Sequence, residues 1–295
     1  MTTPDYRTLF YWVREREQIR VLKDSGRPSP WTEDPILNKY RFCCVRREDD
    51  RVTRWIRKNI RERFSGHPHL WFMLCAARVI NWPDTLDELI DGSSFLSGPG
   101  SWPDHPIFDP AAMGEALQAR ADRGEKVWTG AYVITAPPKK GEKKARFVAD
   151  VTLGKLWEKR GGVKAVLDRK PTMRAIHQAL MMFDGWGPFM AYQAVVDMRF
   201  TPLLSGSSDI STWAAAGPGT IRGLNRVHGR ATDFALPQDR ALDEMRKIFW
   251  LVKPETGVDI DFSDVPNILC ETDKYLRVEG GEGRPRSLYV QGSGS

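Results

Sequence analysis

Two glycine corners, each opening onto a helix, hold the residues of this sequence best suited to gripping a phosphate. The first reads Phe183-Asp184-Gly185-Trp186-Gly187-Pro188. Glycines on both sides of one bulky residue permit a turn too tight for flanking side chains, because glycine tolerates left-handed dihedrals and close backbone approach. Pro188 suits a first helical position, where its fixed φ fits and its missing N–H is not needed. The second corner, Ala216-Gly217-Pro218-Gly219-Thr220, leads into a run carrying Arg222, Arg226 and Arg230. Backbone N–H groups at a positive helix end attract an anion. Ordinary helix capping accounts for either corner alone; the arginines make the pair informative.

Other chemistry-bearing residues lie outside the corners. Glu271 and Lys274 fall about one helical turn apart, so the carboxylate either orients the amine or forms a plain surface ion pair. Asp49 and Asp50 precede Arg51. Two acids there suggest a divalent cation, but neighbours on a helix point in different directions, so no metal or other cofactor is assigned. Five scattered histidines, with His67-Pro68-His69 as a helix-entry turn, give no zinc spacing. Four cysteines, two of them adjacent, read as reduced and mostly buried thiols. The net charge of +6 and pI near 9.1 favour a polyanionic partner. Basic residues gather at Arg41–Arg63, Lys139–Arg146 and Arg222–Arg230. Of the eleven tryptophans, most belong to the core, with a few left to stack on bases.

The elements that must position these residues are helices. Apolar spacing predicts helices over Tyr6–Lys23, a long or bent one from Asp34 to Phe64, and His69–Ile80, the last apolar nearly all round. Further helices are expected at Pro83–Ile90, Ala111–Arg123, Val163–Leu167, Thr172–Met182, Pro188–Phe200, Thr220–Val227, Arg240–Val252 and Asp264–Arg277. Asp91–Asp109 reads as a loop, Pro137–Arg146 as a mobile basic segment, and Val127–Ile134 as either strand or helix. The fold class expected is mainly α: one domain over 1–290 in two helical lobes with a boundary near 150–170, and a flexible tail at 291–295. No apolar run reaches membrane-spanning length and the N-terminus lacks a signal-peptide pattern, which places the expected protein in the cytoplasm, away from membranes.

A hairpin between two helices that offers backbone amides to a phosphate resembles the helix-hairpin-helix device of base-excision DNA glycosylases, with Gly185, Trp186 and Gly187 as its DNA-binding turn. The catalytic aspartate of those enzymes lies beyond the next helix. Asp209 stands at about that place, with Asp197 on the helix itself as competitor, close enough to Arg199 to be paired. Where the lyase-active enzymes carry a lysine this chain has Phe189, which disfavours Schiff-base chemistry.

Further motifs narrow the resemblance. Asn38-Lys39-Tyr40-Arg41, Asp50-Arg51-Val52, Gly217-Pro218-Gly219-Thr220-Ile221-Arg222 and Cys270-Glu271-Thr272-Asp273-Lys274-Tyr275 occur in the order seen in a phage group of glycosylase-fold proteins. That group comprises the helical domain of the 5-hydroxymethyluracil DNA kinases and the related amino acid:DNA transferases, or α-glutamyl/putrescinyl thymine pyrophosphorylases. No G-x-x-x-x-G-K-S/T loop is present, which favours the transferase branch. The resemblance implies a double-stranded DNA substrate carrying a pyrophosphorylated hydroxymethyluracil, and an amine or amino acid that displaces the pyrophosphate. The base must leave the stack, the departing pyrophosphate needs cations, and the amine must lose a proton. Asp209, Glu271 and Lys274 are the catalytic candidates. Asn38, Arg41, Arg51, Gly217, Gly219, Arg222 and Arg226 are the candidates for substrate and phosphate. Asp209 otherwise caps the next helix, and Arg51 otherwise serves structure. Base excision and non-catalytic DNA binding are the alternative activities.

Overall fold

Aspartate and proline together set the helix entries. The Asp34 carboxylate accepts the Ile36 and Leu37 N–H groups at 2.8 and 2.9 Å, with Pro35 at the first position. Asp109 does the same for Ala111 and Ala112 ahead of Pro110. Such caps satisfy N–H groups that have no partner within the helix. In the computed structural model, which describes residues 3–91, 108–129, 143–283, 285 and 288, helices carry most of the chain. In order they are α1 (Arg7–Asp24), α2 (Pro35–Lys39), α3 (Arg51–Ile56), α4 (Leu70–Ile80), α5 (Pro83–Asp91), α6 (Pro110–Asp122) and α7 (Lys144–Arg146). There follow α8 (Lys155–Glu158), α9 (Arg160–Leu167), α10 (Met173–Met181), α11 (Pro188–Arg199), α12 (Pro218–Val227), α13 (Gln238–Thr256) and α14 (Val265–Glu279). Wider π-helical turns extend α3 over Arg57–Glu62 and join α7 to α8 over Phe147–Gly154. Among the described residues there is no strand, only one isolated bridge between Tyr40 and Leu288. The fold is mainly α, as the periodicity predicts.

The chain forms two compact units, Met1–Asp50 with Ser211–Ser295, and Arg51–Ile210. Sequence alone suggests a lobe boundary near 150–170. In the first unit α14 packs against α12, α1 and α13. In the second, α4 is buried along its whole length and packs on α11. Arg78 of α4 is locked there between Asp197 Oδ1 (2.9 Å), Asp197 Oδ2 and the Thr53 hydroxyl (2.9 Å). A guanidinium that is 2% exposed is retained only because its charge and donors are matched.

One expected helix is broken. Between α2 and α3 the chain is extended at Tyr40 and carries only a 3-10 turn at Arg47–Asp49. The N–H groups of Cys43, Cys44 and Arg47 go to the carboxylates of Glu271, Asp50 and Asp264 instead of to carbonyls four residues back. Side-chain acceptors thus replace the helix ladder, as full pairing of buried backbone groups requires. The basic segment ends in helix at Lys144–Arg146. Residues 92–107, 130–142 and the 291–295 tail, on which other expectations fell, lie outside the described residues. No helix among those described is long and apolar enough to cross a membrane.

Candidate phosphate and catalytic site

In the first unit the second glycine corner is a helix-packing device. Gly219 and Gly223 lie one turn apart on the face of α12 that meets α14. A Cβ on Gly219 would strike the Cys270 sulfur, and one on Gly223 would overlap the Leu269 carbonyl. Their absence lets α12 approach α14 closely enough for its arginines to reach one buried acid. That acid is Asp273, 1% exposed. It accepts Arg222 Nε at 3.0 Å and Arg226 Nε at 2.8 Å, and Arg277 Nε lies 3.5 Å away. The Asp273 carboxylate fixes the Arg222 and Arg226 guanidinium planes by their inner edges. Arg222 and Arg277 stay about 40% exposed at the side chain. Arg230 is used elsewhere, held on both terminal nitrogens by Glu244 at 2.7 and 2.6 Å. Gly217 precedes the first turn of α12, and a Cβ there would meet only open space.

Glu271 and Lys274 form a clasp. Lys274 Nζ donates to the Arg41 carbonyl at 2.7 Å and to Glu271 Oε2 at 3.1 Å, and lies 4.4 Å from the centre of the Phe42 ring. The same Glu271 oxygen accepts the Cys43 N–H at 2.9 Å. These contacts tie Arg41–Cys43 to α14 and leave the Arg41 and Asn38 residues exposed. The neighbouring acids hold the rest of the segment. Asp49 pairs with Arg46 at 2.8 Å, while Asp50 faces the Cys44 N–H at 3.0 Å. Burial pushes the Asp50 carboxyl above its ordinary range, against the pull of that N–H. Burial likewise raises Asp264 to about 7, although it accepts the Arg47 and Asp261 N–H groups. No group of three or more metal-ligating side chains occurs among the described residues.

In the second unit the first corner joins α10 to α11. Gly185 has φ +83°, and a Cβ on it would come within 2.8 Å of the Thr152 hydroxyl. Trp186 is 2% exposed and donates its indole N–H to the Thr152 carbonyl at 2.9 Å. Gly187 precedes Pro188 with open space around it, and Phe189 is half exposed. Asp209 accepts the Met173 and Arg174 N–H groups at 2.7 and 3.0 Å, one on each oxygen. The helix it caps is therefore α10, earlier in the chain. The Thr172 hydroxyl completes that cap on the Ala175 N–H. Asp197 pairs with Arg78. Arg51 is exposed beside Asp84 at 3.7 Å and lies 5.6 Å from the centre of the Trp82 ring.

The family model described as "5-hmdU DNA kinase, helical domain" matches residues 3–284. The chain belongs to this family. The 5-hmdU DNA kinase of Bacillus phage SP10 is 27% identical over 238 residues, which are 72% of this chain and 34% of that protein. The chain thus spans about a third of the length of this relative. No solved structure matches.

Of the residues singled out in this member of the 5-hmdU DNA kinase helical-domain family, Arg222 and Arg226 share one acid. Glu271, Lys274 and Arg41 share a second set of contacts on the same unit. Asp209, Arg51 and the Gly185–Gly187 turn belong to the other unit. Two residues of the arginine cluster went unassigned in the sequence, Asp273 and Arg277. A signal existed for both. They fall four apart on α14, and Asp273 sits inside the quoted Glu271–Lys274 motif. A cavity of about 330 Å³ in the second unit, lined by His69, Trp71, Glu158, Arg160, Gly161 and Lys164, uses none of the assigned residues.

Proposed function

We propose that this chain acts on DNA carrying a pyrophosphorylated 5-hydroxymethyluracil and replaces the pyrophosphate by an amine or amino acid. In this reaction the amine nitrogen bonds to the C5 methylene carbon as the carbon–oxygen bond to pyrophosphate breaks, and the amine proton passes to a carboxylate. Charge grows on the leaving oxygen. Guanidinium groups already ordered before the reaction favour that charge without reorganising. The observation that carries the reading is the arginine cluster: Arg222 and Arg226, oriented by the buried Asp273, offer fork-shaped donors matched to phosphate oxygens. Family membership supports the modified thymine as the base. Asn38, Arg41, Arg51 and the Gly185–Gly187 turn are assigned to DNA contacts.

The test is incubation with duplex DNA containing 5-pyrophosphomethyluracil and a panel of amino acids and polyamines, followed by nucleoside mass spectrometry. A nucleoside heavier by the added amine, with stoichiometric pyrophosphate release, is the expected result. Unchanged nucleosides across the panel would sink the transferase reading.

One observation favours a second reading. The phage SP10 relative is named as a kinase and is about three times longer than the region matched here. On that reading the helical chain holds 5-hydroxymethyluracil DNA for phosphorylation by another domain or protein. It then binds that DNA without turnover, through contacts that weaken steeply with salt.

A further inference from the structure

We propose that Arg222, Arg226 and Arg277 form a single phosphate-binding site, and that Glu282 fills it in the free protein, its carboxylate standing where two phosphate oxygens bind. The proposal rests on the reading of Arg222 and Arg226 as phosphate ligands. It adds a third arginine, a residue that orders the cluster and an internal competitor.

Three guanidinium groups converge on one buried carboxylate, so Asp273 alone leaves the cluster strongly positive. It also engages only their Nε edges. The terminal nitrogens of Arg226 instead meet Glu282: Nη1 donates to Oε1 at 3.1 Å and Nη2 to Oε2. This parallel, two-pronged contact is the geometry arginine uses for carboxylate and phosphate alike. The backbone is shaped to deliver it. α14 ends at Glu279, Gly281 turns at φ +68°, and the Glu282 N–H returns to the Arg277 carbonyl at 2.8 Å, which folds the side chain back over the arginines. Glu282 is half exposed, so its departure leaves no buried charge unpaired on its own side. The Arg226 contact and the nearby Arg277 charge hold its carboxyl below its ordinary range, so it is an anion at neutral pH. Among the described residues no hydrogen bond occupies the terminal nitrogens of Arg222 and Arg277, which share the Asp273 carboxylate with Arg226.

The competing phosphate comes either from free pyrophosphate or from a DNA backbone, and the two are separable by titration. Glu282→Gln should bind inorganic pyrophosphate about two- to five-fold more tightly than the parent protein by calorimetry, the range expected when an exposed ion pair no longer competes. Arg277→Gln should weaken the same binding. Tightening with pyrophosphate identifies a leaving-group site, and tightening with an unmodified DNA duplex identifies a backbone-phosphate site. Unchanged affinity of Glu282→Gln for both probes, at an unchanged melting temperature, overturns the proposal. That outcome alongside intact amine transfer by the parent rejects the Glu282 role alone. Absent transfer with the tightening intact rejects the transferase reading and leaves the phosphate site standing.

Discussion

The two glycine corners look alike as sequence and do different work. At Gly185–Gly187 a buried indole pins the turn to the Thr152 carbonyl, and the left-handed Gly185 lets the chain pass the Thr152 side chain. At Gly217–Gly223 the useful glycines lie inside the helix, where they bring α12 against α14 and carry two arginines to Asp273. One corner is held by a side chain; the other works by the lack of one. A glycine directly before a proline marks the helix entry at both corners, while the structure beyond it depends on which helix face the next glycine occupies.

Substitutions can break this contrast, and the largest effect is expected at the indole. Trp186→Ala should cost about 3–5 kcal/mol in denaturant unfolding, the range for truncating a buried aromatic. A loss below about 1 kcal/mol would mean that the turn holds without its anchor. Gly223→Ala comes next, at about 1–3 kcal/mol, because its methyl must displace a backbone carbonyl. Its diagnostic sign is a second readout: pyrophosphate binding should fall as well, since the arginines retreat with α12. Asp209→Ala should cost about 1 kcal/mol through the lost α10 cap. Asp209→Asn, which keeps one acceptor, should recover part of that stability. Smallest are Gly187→Ala and Gly217→Ala, both at negative φ with open space around them. Each should stay within about 0.5 kcal/mol of the parent. A large loss at either would mean that the backbone itself is being used there, as a phosphate cradle would require.

Helix placement was legible because it is local. The three-four spacing in Leu242, Met245, Ile248 and Val252 marks the buried face of α13, and Pro188 and Pro218 mark the starts of α11 and α12. The break between α2 and α3 was not legible, because the acceptors of the Cys43 and Arg47 amides sit at Glu271 and Asp264, far along the chain. Apolar residues continue through that stretch, so periodicity alone favours an unbroken helix. The same limit applies to the candidate site. Arg222 and Arg226 were visible as a basic cluster, but their meeting with Asp273 depends on the close approach of α12 to α14, which spacing along one helix does not report. Asp209, by its type and place, suits a cap on a downstream helix; its partners instead lie upstream, at Met173 and Arg174.

The carboxylate clasps on Cys43, Cys44 and Arg47 also bear on how the polypeptide matures. The unit they belong to is discontinuous, assembled from the first fifty residues and everything after Ile210, whereas the intervening unit is one uninterrupted stretch. During translation the middle portion leaves the ribosome complete and is free to fold, while α1 and α2 wait for partners not yet made. Glu271 is among the last of these to emerge. Until it does, the Cys43 amide lacks the acceptor that it has in the folded chain.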